Sequence, residues 1–197
     1  MSREFFNQKA EKWDQIVNHD SIKIRKVLDG LPDIVNPEIL DVGSGTGVLI
    51  PFLKERYGER VRITAIDFAE KMIEVSKKKH RDYSNIEFIV GDIYSYPLTE
   101  RKYDLILCYS VFPHLKDKEG ILRRFGLLLK HGGWLVIFHS ESRENINNLH
   151  HKAGKEVKED YLPPADQVVK MAEKFGYNAK RVVDDDRMYL VELLYLN

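Results

Sequence analysis

The sequence predicts an α/β fold in which a mostly parallel sheet is covered by helices on both faces, and three observations carry that expectation. Short apolar segments of strand length alternate with longer amphipathic ones from residue 38 to residue 138, the pattern of repeated βα units. A glycine-rich turn, Gly43-Ser44-Gly45-Thr46-Gly47, follows directly on the apolar segment Ile39-Leu40-Asp41-Val42, where an open α/β sheet places a ligand. At the far end two apolar runs are separated only by Asp184-Asp185-Asp186-Arg187, a hairpin signal that finishes the sheet with an antiparallel pair.

Each element follows from its own residues. Over residues 3 to 18, Phe6, Ala10, Trp13, Ile16 and Val17 recur at helical spacing and predict an amphipathic helix ahead of the main fold. Ile22, Ile24, Val27 and Leu28 mark a second helix, ended by Gly30 and Pro32. The core then reads as strand 38 to 42, helix 47 to 57, strand 61 to 66, helix 69 to 79 and strand 86 to 90. Strand 103 to 108, helix 118 to 129 and strand 133 to 138 continue it, with Gly132-Gly133 as the turn into the last. Pro51 falls in the first turns of its helix, where a missing N–H is tolerated. In the tail, helix 166 to 175 stops at Gly176, and runs 179 to 183 and 188 to 196 form the hairpin.

The length of 197 residues suits one sizeable core, so a single domain over 1 to 197 is expected. Its parts are a helical cap at 1 to 30, a ligand-binding core at 38 to 138, a cover at 140 to 164, and a C-terminal helix and hairpin at 166 to 197. Lys and Arg number 31, as do Asp and Glu, so no net field draws the chain to nucleic acid or an anionic membrane. Cys108 is the only cysteine, which excludes an internal disulfide. No apolar run reaches the ~18 residues of a membrane span, and none has signal-peptide length. A cytoplasmic monomer or homodimer is expected, with neither nucleic acid nor membrane as a partner.

The glycine turn identifies the ligand's chemistry. Glycines let backbone approach a ligand at a helix N-terminus, but the dinucleotide pattern G-x-G-x-x-G needs its third glycine at position 48, which is Val48. Asp41, two residues before Gly43, repels a pyrophosphate and accepts hydrogen bonds from an ammonium group. Asp67 follows the next strand at the separation where an acidic residue meets ribose hydroxyls. Asp92 follows the third strand, placed for an adenine amino group. Three carboxylates and no P-loop lysine suit an adenosine that carries positive charge and no phosphate. S-adenosylmethionine is such a molecule. Taken singly, each Asp is equally well explained as a helix cap, as Asp67 is before Phe68-Ala69-Glu70.

ILDVGSGTG, ITAIDFAEKMIEVSKKK, IEFIVGDIYSYPL, YDLILCYSVFPHL and LLKHGGWLVIF stand in the order of the successive motifs of the class I S-adenosylmethionine-dependent methyltransferases, which the chain resembles over residues 39 to 138. The resemblance implies a Rossmann-like methyltransferase fold, its seven-stranded sheet ending in one reversed strand. It implies Asp41, Gly43, Ser44, Gly45 and Gly47 at the methionine moiety, Asp67 at the ribose, and Asp92 with the Ile93 backbone at the adenine. Phe68, Met72 and Cys108 complete the implied cofactor contacts.

The acceptor's place is less legible. The segment Cys108-Tyr109-Ser110-Val111-Phe112-Pro113 lacks the Asn or Asp followed by two prolines and an aromatic residue that amino-methylating enzymes show, which disfavours nucleobases. It also lacks the carboxylates of metal-dependent catechol-type enzymes, and no C-x-x-C or H-x-x-x-H spacing supports zinc among His139, His150, His151 and Cys108. No metal is expected. His114 and His139, at strand-end loops, are the candidates for base or acceptor ligand, against the plainer reading of packed histidines that orient a loop. Phe5, Phe6 and Trp13 either close over the cofactor or simply dock the leading helix. The expected activity is methyl transfer to a small-molecule acceptor by in-line displacement. RNA or protein methylation and a non-catalytic S-adenosylmethionine-binding module are the alternatives.

Overall fold

The computed structural model describes residues 3–152 and 160–197. The chain divides into two compact units, one ending at Tyr96 and the other beginning at Pro97, and they contribute seven strands to one mixed sheet. Among the described residues no helix is long and apolar enough to cross a membrane.

In the first unit β1 (Glu38–Val42), β2 (Arg62–Asp67) and β3 (Ile86–Val90) lie in the order β3-β2-β1. They run parallel, with Ile39 opposite Ile63 and Ile63 opposite Ile86. β1 and β2 are buried almost throughout, as a parallel sheet covered on both faces requires, whereas β3 keeps exposed positions. The helices are α1 (Arg3–Lys9), α2 (Trp13–Ile16), α3 (Ser21–Asp29), α4 (Ile50–Tyr57) and α5 (Glu70–Lys79). Asp20 caps α3 by accepting the Ile22 and Lys23 N–H groups, each at 3.1 Å.

Two expectations are corrected here. The single helix over 3 to 18 is broken by a 3-10 turn at Ala10–Lys12, where Ala10 is buried against Ala69 and Met72. No glycine or proline announces that break. The helix expected from residue 47 begins at Ile50, because Gly47 sits at φ +81°, a conformation that no right-handed helix contains.

The second unit holds β4 (Tyr103–Tyr109), β5 (Leu129–His139), β6 (Tyr177–Asp184) and β7 (Tyr189–Tyr195), in the order β4-β5-β7-β6. β4 and β5 are parallel, and β7 runs antiparallel to both β5 and β6. The helices are α6 (Lys118–Leu128), α7 (Arg143–Lys152) and α8 (Ala165–Glu173). β5 starts earlier than expected: Leu129 already pairs with Tyr103, and the register then jumps to Leu105 opposite Trp134. Gly132, at φ +77°, lets the intervening residues loop out.

The segment 140 to 164, read from sequence only as a polar cover, contains α7. Ser142 Oγ accepts the Asn145 N–H at 3.2 Å at its start, and His150, His151 and Lys152 occupy its last turn. These capping and dipole signals were present in the sequence. Asn147 then clamps the returning chain, accepting the Leu162 N–H at 2.9 Å and donating to the Leu162 carbonyl at 3.1 Å. Residues 153 to 159 of the expected cover lie outside the described residues.

Candidate active site

In the first unit the glycine loop hangs between β1 and β2. Ser44 N–H donates to the Ile66 carbonyl at 3.1 Å, and Gly45 N–H donates to Asp67 Oδ2 at 2.9 Å. Gly45 has φ +54° and Gly47 φ +81°. Beneath Gly47 there is no room for a side chain, since an added Cβ would lie 2.4 Å from Ser76 Oγ and 2.7 Å from His80 Nε2. The loop is thus pinned from one side by Asp67 and pressed onto α5 from the other.

Asp67 does two things at once. Its Oδ1 accepts the Ala69 N–H at 2.8 Å at the entrance to α5, while Oδ2 holds the glycine loop. The capping explanation and the loop contact therefore coexist. Asp41, 2 % exposed on β1, leaves its Oδ2 with no hydrogen-bond partner among the described residues, and buried Ser44 Oγ is likewise unpartnered. Burial, with the Asp67 carboxylate adding to it, pushes the Asp41 carboxyl up to about 8. Burial lifts Asp67 to about 6 despite its two backbone donors. A buried carboxyl with an open oxygen beside a second acid is poised for a cation.

The remaining predicted contacts divide. Half-buried Phe68 meets Phe6 edge-on at 5.7 Å, and Phe6 meets Trp13 at 5.3 Å. Met72 is 1 % exposed in the same cluster with Ala10 and Ala69, and Phe6 and Trp13 pack against that cluster. Ile93 is buried, and Asp92 is exposed, its Oδ1 accepting the Tyr94 N–H at 2.9 Å. Cys108, in the second unit, is fully buried within β4 opposite Ile137.

In the second unit the two candidate histidines belong to one polar cluster. His114 ends a 3-10 turn (Phe112–His114) after β4, and its Nδ1 bonds Asp160 Oδ2 at 2.8 Å. The His150 ring lies 4.9 Å from the His114 ring, and its Nδ1 donates to the Asp160 carbonyl at 3.0 Å. Burial holds His114 and His150 below the ordinary imidazole range even against Asp160. Burial works to raise the Asp160 carboxyl, but the His114 contact brings it below its usual value. The pair is therefore carboxylate and neutral imidazole, with His114 donating from Nδ1 to Asp160. Lys118, drawn down to about 8 by burial, donates to the Phe112 and Pro113 carbonyls at 2.9 Å each and steadies this turn.

His139 ends β5 with 1 % exposure, and neither ring nitrogen has a hydrogen-bond partner among the described residues. Burial, with His114 and His150 nearby, lowers it to about 3. Next to it Tyr109 and Ser140 share a buried hydroxyl–hydroxyl bond of 3.1 Å. Asp160 was missed by sequence reasoning. Its partner is 46 residues away, and only its position in a polar stretch after His150-His151 hinted at a role. Among the described residues, no group of three or more His, Cys, Asp or Glu side chains is arranged to hold a metal ion.

Comparison with known proteins adds four findings. A methyltransferase domain model matches residues 39–133. The demethylmenaquinone methyltransferase of Thermotoga maritima is 36% identical over 137 residues, 67% of this chain and 58% of that protein. The malonyl-[acyl-carrier protein] O-methyltransferase of Acetivibrio thermocellus is 33% identical over 147 residues, 74% of this chain and 50% of that protein. The chain thus spans 58% and 50% of the length of these curated relatives. Among solved structures, a SAM dependent methyltransferase from Aquifex aeolicus superposes with a TM-score of 0.74 at 22% identity, covering 96% of this chain and 98% of that one. At that identity the likeness speaks to the fold.

Proposed function

The chain belongs to the class I S-adenosylmethionine-dependent methyltransferases, and on that premise we propose that it moves the methyl group of S-adenosylmethionine to a small-molecule acceptor by in-line displacement. The observation that carries this reading is the buried oxygen of Asp41 beside the glycine loop, unpartnered among the described residues. An orphaned carboxylate in a site with a second acid fits an ammonium-bearing ligand and opposes a phosphate-bearing one. In this reading Asp41 and the loop residues Gly43, Ser44, Gly45 and Gly47 hold the methionine end. Asp67 and Phe68 hold the ribose, Asp92 and the Ile93 backbone the adenine, and Met72 completes the contacts.

When bound, the cofactor supplies an electrophilic methyl group on a positively charged sulfur. The protein's own work is then to align the acceptor, exclude water and receive any proton that leaves it. His114 is the base: its Nδ1–H is fixed on Asp160, whose carboxylate stabilises the imidazolium that forms when His114 receives a proton. His139, held neutral by burial, serves binding rather than proton storage. The two relatives named above differ in the acceptor they are named for, one demethylmenaquinone and the other a malonyl-[acyl-carrier protein], so neither acceptor is carried over. A small molecule is favoured over RNA by the balanced charge of the chain.

Calorimetry with S-adenosylmethionine, S-adenosylhomocysteine and NADH tests the cofactor. The two adenosyl ligands are expected to bind, and binding of NADH alone defeats the reading. Transfer of a labelled methyl group across thiol, phenol, amine and carbon-acid acceptors then tests the activity.

A further inference from the structure

His139 differs from its two histidine neighbours in what its nitrogens do. His114 and His150 are each bonded through Nδ1 to Asp160, one to the carboxylate and one to the carbonyl. His139 is more deeply buried than either, yet both of its nitrogens are unpartnered among the described residues. A neutral imidazole offers one N–H donor and one lone pair, and folded proteins seldom leave both unmet in the interior. The residue directly opposite across the β5–β7 ladder repeats the pattern. Tyr189 is 0 % exposed, its ring lies edge-on at 6.0 Å from His139, and its hydroxyl is also unpartnered among the described residues.

Both side chains stand at the carboxyl end of β5, the edge on which an α/β sheet binds ligands. We propose that His139, with the Tyr189 hydroxyl as a second contact, hydrogen-bonds an uncharged hydroxyl group, alcohol or phenol, on the acceptor molecule. This deepens the methyl-transfer reading and rests on it.

The donor and acceptor inventory selects that group. A hydroxyl both donates and accepts, so it satisfies the lone pair and the N–H of an imidazole–phenol pair. A carboxylate only accepts and an ammonium only donates, and each brings into a buried place a charge that a neutral histidine does not offset. Asp160, already ionised in the same cluster, further opposes a second carboxylate.

The test uses the full chain with 15N-labelled histidine, saturated with S-adenosylhomocysteine and titrated with phenol, anisole, benzoate or benzylamine. Phenol is expected to move the His139 imidazole nitrogen signals, with anisole at least about tenfold weaker and the two charged probes without effect at equal concentration. His139→Phe is expected to weaken phenol binding at least about tenfold, while S-adenosylhomocysteine affinity stays within about twofold. His139→Gln, which keeps a donor and an acceptor, is expected to restore part of it. Unmoved His139 signals, preference for benzoate or benzylamine, or full phenol binding by His139→Phe overturns the proposal, and a resident water as the sole partner of His139 gives the first of these. The titration is repeated without S-adenosylhomocysteine. Failure of that ligand to bind counts against the methyl-transfer reading, whereas failure of phenol counts against the His139 assignment alone.

Discussion

At the scale of single residues, Asp67 and Asp41 carry the sharpest expectations. Asp67 joins the glycine loop to the start of α5 through Gly45 and Ala69. Asp67→Ala strands both N–H groups, and the loss is expected to be about 1–3 kcal/mol in urea unfolding, with at least about a tenfold weaker affinity for S-adenosylhomocysteine by calorimetry. Asp41 sets a pH dependence. Its folded value of about 8 lies above the ordinary carboxyl value near 4. The unfolded chain therefore releases this proton first, and the ligand-free protein loses stability as pH rises from about 4 to about 8. Asp67, lifted to about 6, acts in the same direction over the lower part of that window. Thermal melts of the ligand-free protein between pH 5 and pH 8 are expected to show the decline, and Asp41→Asn to flatten it. Binding a cationic ligand at pH 6.5 is expected to release protons, read as a buffer-dependent heat. The types and positions of both acids were legible in the sequence, because a strand end followed by glycines is a local pattern. Their shared burial was not, since it depends on the closing of strands around them.

At the scale of elements, the loop between β1 and α4 illustrates how backbone conformation and packing combine. Gly47 and Gly58 have similar positive φ, +81° and +78°, but an added Cβ meets Ser76 and His80 at Gly47 and, among the described residues, nothing within 4 Å at Gly58. Gly58→Ala is expected to cost about 1–3 kcal/mol of backbone strain, because ψ of −179° puts it in a positive-φ region almost confined to glycine. Gly47→Ala adds overpacking to that strain and is expected to reach about 3 kcal/mol or more, with urea midpoints separating the two. The hairpin of β6 and β7 holds a different liability. Glu192 is 2 % exposed and is met across the ladder by Arg181. Arg181→Ala is expected to cost about 2–3 kcal/mol, short of a fully buried pair because a third of the arginine side chain is exposed. Arg181→Met with Glu192→Leu is expected to recover most of the loss. The hairpin itself was legible from its polar tip, and the glycine-forced late start of α4 shows why element boundaries were less so. The break at Ala10 had no local cause that the sequence displays.

At the scale of the whole molecule, equal numbers of acidic and basic side chains give no net charge at pH 7. Solubility is expected to pass through a minimum near neutral pH, measured by polyethylene glycol precipitation, and to rise on either side. By itself the sequence determined the α/β alternation, the antiparallel finish, the glycine loop and the strand-end acids, because periodicity and spacing are properties of consecutive residues. Tertiary structure alone decided the partners. Asp67 reaches Gly45 across 22 positions and Asp160 reaches His114 across 46, while His139 is left buried with both nitrogens unpartnered among the described residues. Which side chains meet, and which are sealed from water without a partner, depends on how distant segments pack, and a single chain's local pattern holds no record of that.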